Sequence, residues 1–135
     1  MNQTPGKQRL VPYLIYDNAP AAIDFLCSAF GFAEALRYPM PDGRVGHCEL
    51  TYDGNTLMLA SVFEGFGDTP LKVGTVTSTL YCYVDDVDAH YERALAAGAT
   101  ITSEPLDEHG VRRYRASDPE GHRWVFATPL TQATA

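Results

Sequence analysis

The sequence predicts an α+β fold made of two βαβββ modules in tandem, together forming a cupped mixed sheet. Three observations carry that prediction. The chain repeats itself at an offset of 67 residues, which sets Asn18 on Asp85, Ala22 on Ala89, Gly31 on Gly98, Gly43 on Gly110, Gly54 on Gly121 and Ala60 on Ala127. Several of these positions stand where the backbone must reverse, so the repeat is one of structure and not of composition. Each copy also reads in the same order: an apolar strand, a capped amphipathic helix and three strands separated by turn signals. Finally, 135 residues with 45% hydrophobic residues suit one compact domain over 1–135, with each copy too small for a full core of its own.

Module one is expected over about 10–61, a linker over 62–76 and module two over about 77–130. Residues 1–9 read as a loose polar arm and 131–135 as an unanchored tail. The first strand is the apolar run Leu10 to Tyr16; Asp17 and Asn18 offer caps, Pro20 falls in the first turn, and a stripe of Ala22, Ile23, Leu26, Ala29 and Phe30 ends at Gly31. Strands follow at about 33–39, at 44–52 after Pro41-Asp42-Gly43, and at 56–61 after Asp53-Gly54. The linker is rich in glycine, and its Phe63 and Phe66 have two readings, a lid over a cleft or packing on the nearest helix. Module two repeats the order with a strand over Thr77 to Val84, a helix over about 87–97 capped by Asp85 or Asp86, and strands near 99–103, 111–117 and 123–128, the last after Asp118-Pro119-Glu120-Gly121.

Ten Lys and Arg against 17 Asp and Glu give a net charge of −7, which argues against nucleic acid and against an anionic membrane as non-specific partners. The same charge favours a cationic ligand or serves solubility alone. Cys27, Cys48 and Cys82, an odd number without a CxxC spacing, read as reduced and buried. The start MNQTPGKQRL lacks the apolar stretch of a signal peptide, and no run approaches ~18 apolar residues, so a cytoplasmic location is the expectation. A GxSxG elbow, a phosphate-binding glycine loop, an HExxH pair and a basic stripe are all missing.

Period-two alternation puts Thr79, Tyr81 and Tyr83 on the cup side of their strand, with Leu80, Cys82 and Val84 toward the helix. Tyr114 and Arg112 are expected to join them, with Met58 and Val125 from the last strand of each copy. His47 and Glu49, two apart, share one face. At an offset of 67 they fall opposite Tyr114 and Ala116, so the second copy supplies no matching ligand; the simpler reading of the pair is a His bonded to a tyrosine or water beside a carboxylate at a wet rim. His90 reads as a solvated helix-face residue, and His109 and His122 fall in turns. A lining of tyrosines with Arg112, His47 and Glu49 at its tips suits a flat organic ligand, or else an apolar face covered by a second subunit.

The segments VPYLIYDNAPAAIDFL, PDGRVGHCEL, YVDDVDAHYERALAAGA and DPEGHRWVFA, within a repeat spanning about 10–130, resemble the vicinal oxygen chelate superfamily, in its glyoxalase/bleomycin resistance protein branch that includes the PhnB-like proteins. The resemblance implies metal ligands on the first and last strand of each copy, here Val11 or Pro12, Met58, Thr79 and Val125. None is His, Glu or Gln, so neither a metal nor another cofactor is expected. The resulting expectation is a metal-free homodimer that captures an aromatic or cationic small organic ligand through His47, Glu49, Met58, Thr79, Tyr81, Tyr83, Arg112, Tyr114 and Val125. The alternative is a glyoxalase-like lyase, isomerase or dioxygenase with a non-standard site around His47, Glu49 and Tyr114.

Overall fold

A computed structural model describes residues 8–130. The elements run β1 (Tyr13–Tyr16), α1 (Ala19–Phe30), β2 (Ala33–Pro39), β3 (Val45–Tyr52), β4 (Asn55–Ser61), α2 (Pro70–Val73), β5 (Thr79–Tyr83), α3 (Val87–Ala96), β6 (Thr100–Glu108), β7 (Val111–Ser117) and β8 (Arg123–Pro129). They form two four-stranded mixed sheets of the same design, ordered β1-β4-β3-β2 and β5-β8-β7-β6, with the first strand of each module parallel to its last. The predicted tandem α+β architecture is therefore the observed one. The tail expected over 131–135 and most of the expected arm lie outside the described residues. At the arm's described end, Gln8 is held in place: its side-chain amide donates to the Thr56 carbonyl and accepts from the Thr56 amide.

Local chemistry sets the element boundaries. The Asn18 side chain accepts from the Ala21 amide to open α1, and Asp86 accepts from Ala89 to open α3, so the structural partner of Asn18 is Asp86 and not Asp85. Asp53 and Gly54 both take positive φ, as do His109 and Gly110, the conformation that a two-residue hairpin loop requires. Two elements escaped the sequence reading. The linker contains α2, and β6 runs on to Glu108 through Pro105, which an edge strand with an irregular register accepts because no neighbour needs its missing N–H.

Both sheets give their apolar faces to one core. Leu14, Tyr16, Leu50, Leu57 and Leu59 from module one meet Tyr114, Ala116, Trp124 and Phe126 from module two around α1 and α3. Phe30 at the end of α1 packs against both Trp124 and Phe126, and Arg93 of α3 donates to the carbonyls of Cys27 and Ser28 in the last turn of α1. The modules are also clamped by the 118–122 turn. Asp118, 4% exposed, accepts from the Tyr16 hydroxyl (2.5 Å) and the Trp124 indole (3.2 Å). Glu120 accepts from the amides of Asp17 and Asn18, and His122 donates to the Ile15 carbonyl. The DPEGHRW segment is thus an internal fastener.

One consequence of that turn overturns part of the expected lining. Paired residues of the β3–β4 hairpin lie an odd number apart, as in Thr51↔Thr56, whereas those of β7–β8 lie an even number apart, as in Ser117↔Arg123. With β4 and β8 in phase at 67, β7 is one residue out of phase with β3, and a one-residue slip moves every side chain to the other face. Tyr114 is therefore fully buried on the helix side, its hydroxyl donating to His90 Nδ1 at 2.6 Å. Arg112 shares that side, donating to Asp88 of α3 and to Asp107. Neither lines the cup. His90, expected in solvent, is 8% exposed. Its Nε2 donates to the Phe30 carbonyl, which leaves Nδ1 to accept from Tyr114. Of the three free cysteines, only Cys48 is fully buried; Cys27 and Cys82 are partly exposed.

Candidate functional site

The faces opposite the helices are the cup faces, and the strand registers align them. Across module one the row is Tyr13, Met58, Glu49; across module two it is Tyr81, Val125, Arg115. Val11 and Pro12 precede β1, so Tyr13 holds the place beside Met58, and Tyr81 rather than Thr79 stands beside Val125.

In cup one a hydrogen-bonded chain joins three side chains. Tyr13 Oη lies 2.7 Å from His47 Nδ1, and His47 Nε2 lies 2.9 Å from Glu49 Oε2. A carboxylate can only accept, so the bond to Glu49 takes a proton on His47 Nε2 and leaves Nδ1 facing the Tyr13 hydroxyl. Burial, with the charges of Cys48 and Glu49, raises the Tyr13 pKa, which keeps the phenol a donor. Glu49 is 4% exposed rather than at a wet rim, and its Oε1 has no hydrogen-bond partner among the described residues. The Tyr38 ring lies over His47 with centroids 6.2 Å apart, and Phe66 from the linker stands edge-on to Tyr13 at 5.6 Å. Phe63 instead lies under the Arg44 guanidinium.

Cup two holds a different set. Tyr81 and Tyr83 form an edge-to-face pair at 5.4 Å, both more than half exposed. Arg113 is buried, donating to Glu108 at 2.8 Å and to the Ser103 hydroxyl at 2.6 Å, while Arg115 reaches Glu108 only at 3.5 Å. The two tyrosines, the two arginines and Glu108, with Val111, Val125 and His109, line a depression of about 350 Å³. A larger cavity of about 690 Å³ lies in the gap between the edge strands β1 and β5, lined by Leu10, Phe32, Tyr52, Thr79, Leu80 and Trp124 among others.

The structure thus places His47, Glu49 and Met58 together in cup one, and Tyr81, Tyr83 and Val125 together in cup two, with Thr79 at the β1–β5 gap. Tyr13, Tyr38, Arg113 and Arg115 were missed. The alternation within β7 was the available signal for the arginines: Tyr114 and Ala116 are apolar, whereas Arg113, Arg115 and Ser117 are polar.

A divalent cation of the kind the resembling superfamily implies does not fit these residues. Tyr13, Met58, Tyr81 and Val125 offer neither imidazole nor carboxylate, and the nearby His47 and Glu49 are bonded to each other and to Tyr13. Among the described residues no three His, Cys, Asp or Glu side chains gather around one point. No described helix is long and apolar enough to cross a membrane.

The family described as Glyoxalase/Bleomycin resistance protein/Dioxygenase superfamily matches residues 9–126. An uncharacterized protein of Mycobacterium bovis is 38% identical over 128 residues, covering 91% of this chain and 84% of that protein. A second, from Mycobacterium tuberculosis, has the same identity, with 75% of that protein covered. Among solved structures, TioX from Micromonospora sp. ML1 superposes with a TM-score of 0.75 at 32% identity, covering 91% of this chain and 99% of TioX. TnmS3, an antibiotic binding protein from Streptomyces sp. CB03234, superposes at 0.70 with 22% identity, covering 94% and 99%, a likeness of fold.

Proposed function

Because the chain belongs to the Glyoxalase/Bleomycin resistance protein/Dioxygenase superfamily, we propose that it captures a small aromatic organic molecule on its cup faces without a metal ion. The observation that carries this reading is the pairing of exposed tyrosines with a donor set unsuited to a cation. Tyr38, Tyr81 and Tyr83 leave about half or more of their surface open, which presents ring faces on which a flat ligand can stack. That TnmS3 is an antibiotic binding protein is in keeping with a fold able to take a drug-sized ligand. The cationic form of the ligand rests on the net charge of −7 and on Glu49, whereas cup two sets two arginines against one carboxylate, Glu108.

A homodimer belongs to the same proposal. Both cup faces look away from the shared core, so a second copy is the natural cover for them. Three free thiols fit a reducing, cytoplasmic setting. A second reading, a glyoxalase-like lyase, isomerase or dioxygenase, draws on the Tyr13–His47–Glu49 chain, where Tyr13 takes the place expected of Tyr114.

The test joins three measurements: thermal unfolding against a panel of aromatic compounds, metal content after zinc and nickel supplementation, and turnover of the glutathione hemithioacetal. Capture predicts a ligand-dependent rise in stability of about 2.7 kcal/mol at a hundredfold excess over Kd, sub-stoichiometric metal and no turnover. A stoichiometric divalent ion or measurable turnover overturns it in favour of the enzyme.

A further inference from the structure

The depression in cup two is built from a charge arrangement that the overall acidity of the chain conceals. Two guanidinium groups, Arg113 and Arg115, face a single carboxylate, Glu108. Arg113 is committed: it is 5% exposed, and its Nε and Nη1 are satisfied by Glu108 and Ser103. Arg115 is not. Its side chain is 51% exposed, and its one side-chain hydrogen bond among the described residues is the 3.5 Å approach to Glu108, to an oxygen already taken by Arg113 at 2.8 Å. A guanidinium carries five N–H donors in a planar fork, so most of those of Arg115 remain available on the side facing the depression. Beside it in the same cross-strand row stand Val125 and then Tyr81, whose half-exposed ring offers a stacking surface.

We propose that cup two is a binding site for an aromatic monocarboxylate, with Arg115 holding the carboxylate and Tyr81 stacking on the ring system. The proposal deepens the capture reading above and rests on it. The local surplus is one positive charge, which matches a monoanion; a phosphate dianion would bring its second charge against Glu108. At physiological ionic strength charges beyond about 8 Å are largely screened, so the local surplus and not the distant acidic surface decides the sign of the preference. A volume of about 350 Å³ accommodates a bicyclic ring. Fork-on-fork pairing of guanidinium with carboxylate supplies the direction that stacking lacks.

The experiment is calorimetric titration of the full chain with three probes of one shape: 2-naphthoate, 2-naphthamide and 2-naphthylmethylammonium. The expected result is that naphthoate binds about tenfold tighter than the amide. Arg115→Gln should abolish that preference while the circular dichroism spectrum is unchanged, and Arg115→Lys should restore part of it. The proposal is overturned if amide and acid bind alike, if the ammonium probe binds best, or if the preference survives Arg115→Gln. Those outcomes leave capture itself standing. Failure of all three probes to bind would overturn the cup-two site, while the thermal-unfolding panel decides capture independently.

Discussion

Module one sets Tyr13, Met58 and Glu49 across its cup face, and module two sets Tyr81, Val125 and Arg115 across the same row of its own. The backbone frame is shared, the first-strand tyrosine is shared and the central apolar residue is kept, yet the third position is a buried carboxylate in one copy and an exposed guanidinium in the other. On the helix side the contrast reverses. Cys48 and Tyr114 are equivalents, each paired with a last-strand core residue, but only Tyr114 hydrogen-bonds a buried histidine. Duplication supplies two equal scaffolds, and divergence reaches both faces: the charge of the third cup position differs, and so does the buried pair Cys48 and Tyr114.

The comparison depends on the two modules keeping one relative placement, and the most damaging way to break it is to cut the clamp. Asp118→Ala removes the acceptor of the Tyr16 hydroxyl and the Trp124 indole, both buried, and of two turn amides. Leaving such donors unpaired costs about 3 kcal/mol or more. Chemical denaturation should show a loss of that size. Asp118→Asn should lose less, since its amide keeps one acceptor oxygen, and equal losses would mean that geometry rather than acceptor count matters.

How much of this could be read in advance follows the range of the interactions. The strands, helix caps and hairpin turns are local, so Asn18, Asp53-Gly54 and Gly31 announced them. The phase of β7 is not local: it is set by whether the 118–122 turn spans an odd or even number of residues relative to its partner strand. Imposing a constant offset therefore sent Tyr114 and Arg112 to the wrong face and hid Arg113 and Arg115. His90 looked solvated because Asp86, Glu92 and Arg93 surround it in sequence; its partners Phe30 and Tyr114 come from elsewhere in the chain. His47 and Glu49 were legible because two residues on one strand share a face whatever the register.

A gentler change sharpens the contrast between the two third-row charges. Glu49 is buried with one oxygen unpartnered among the described residues, an arrangement that ordinary packing would not favour. Glu49→Gln removes the charge and keeps an acceptor for His47 Nε2. Stability should stay level or rise by up to about 1 kcal/mol, as expected where a site residue is held at a cost to the fold. A drop of about 2 kcal/mol would make Glu49 a structural residue and dissolve its parallel with Arg115.

The smallest expected effect tests the helix-side difference. Burial, with a lesser push from Arg93, lowers the His90 pKa below its usual value of 6.5, against the opposing effect of the Phe30 carbonyl. Between the lowered folded value and about 6.5, the unfolded chain binds a proton that the folded chain refuses, so stability falls as pH drops through that window and is fully present above it. One titrating group carries at most about 1.4 kcal/mol per pH unit. His90→Gln should flatten the difference in melting temperature between pH 7 and pH 5 relative to the parent chain, because glutamine keeps a donor for Phe30 without titrating. Module one has no buried histidine on its helix side to take over the effect, so an undiminished acid slope in the variant would show that the buried His90–Tyr114 pair does not refuse the proton.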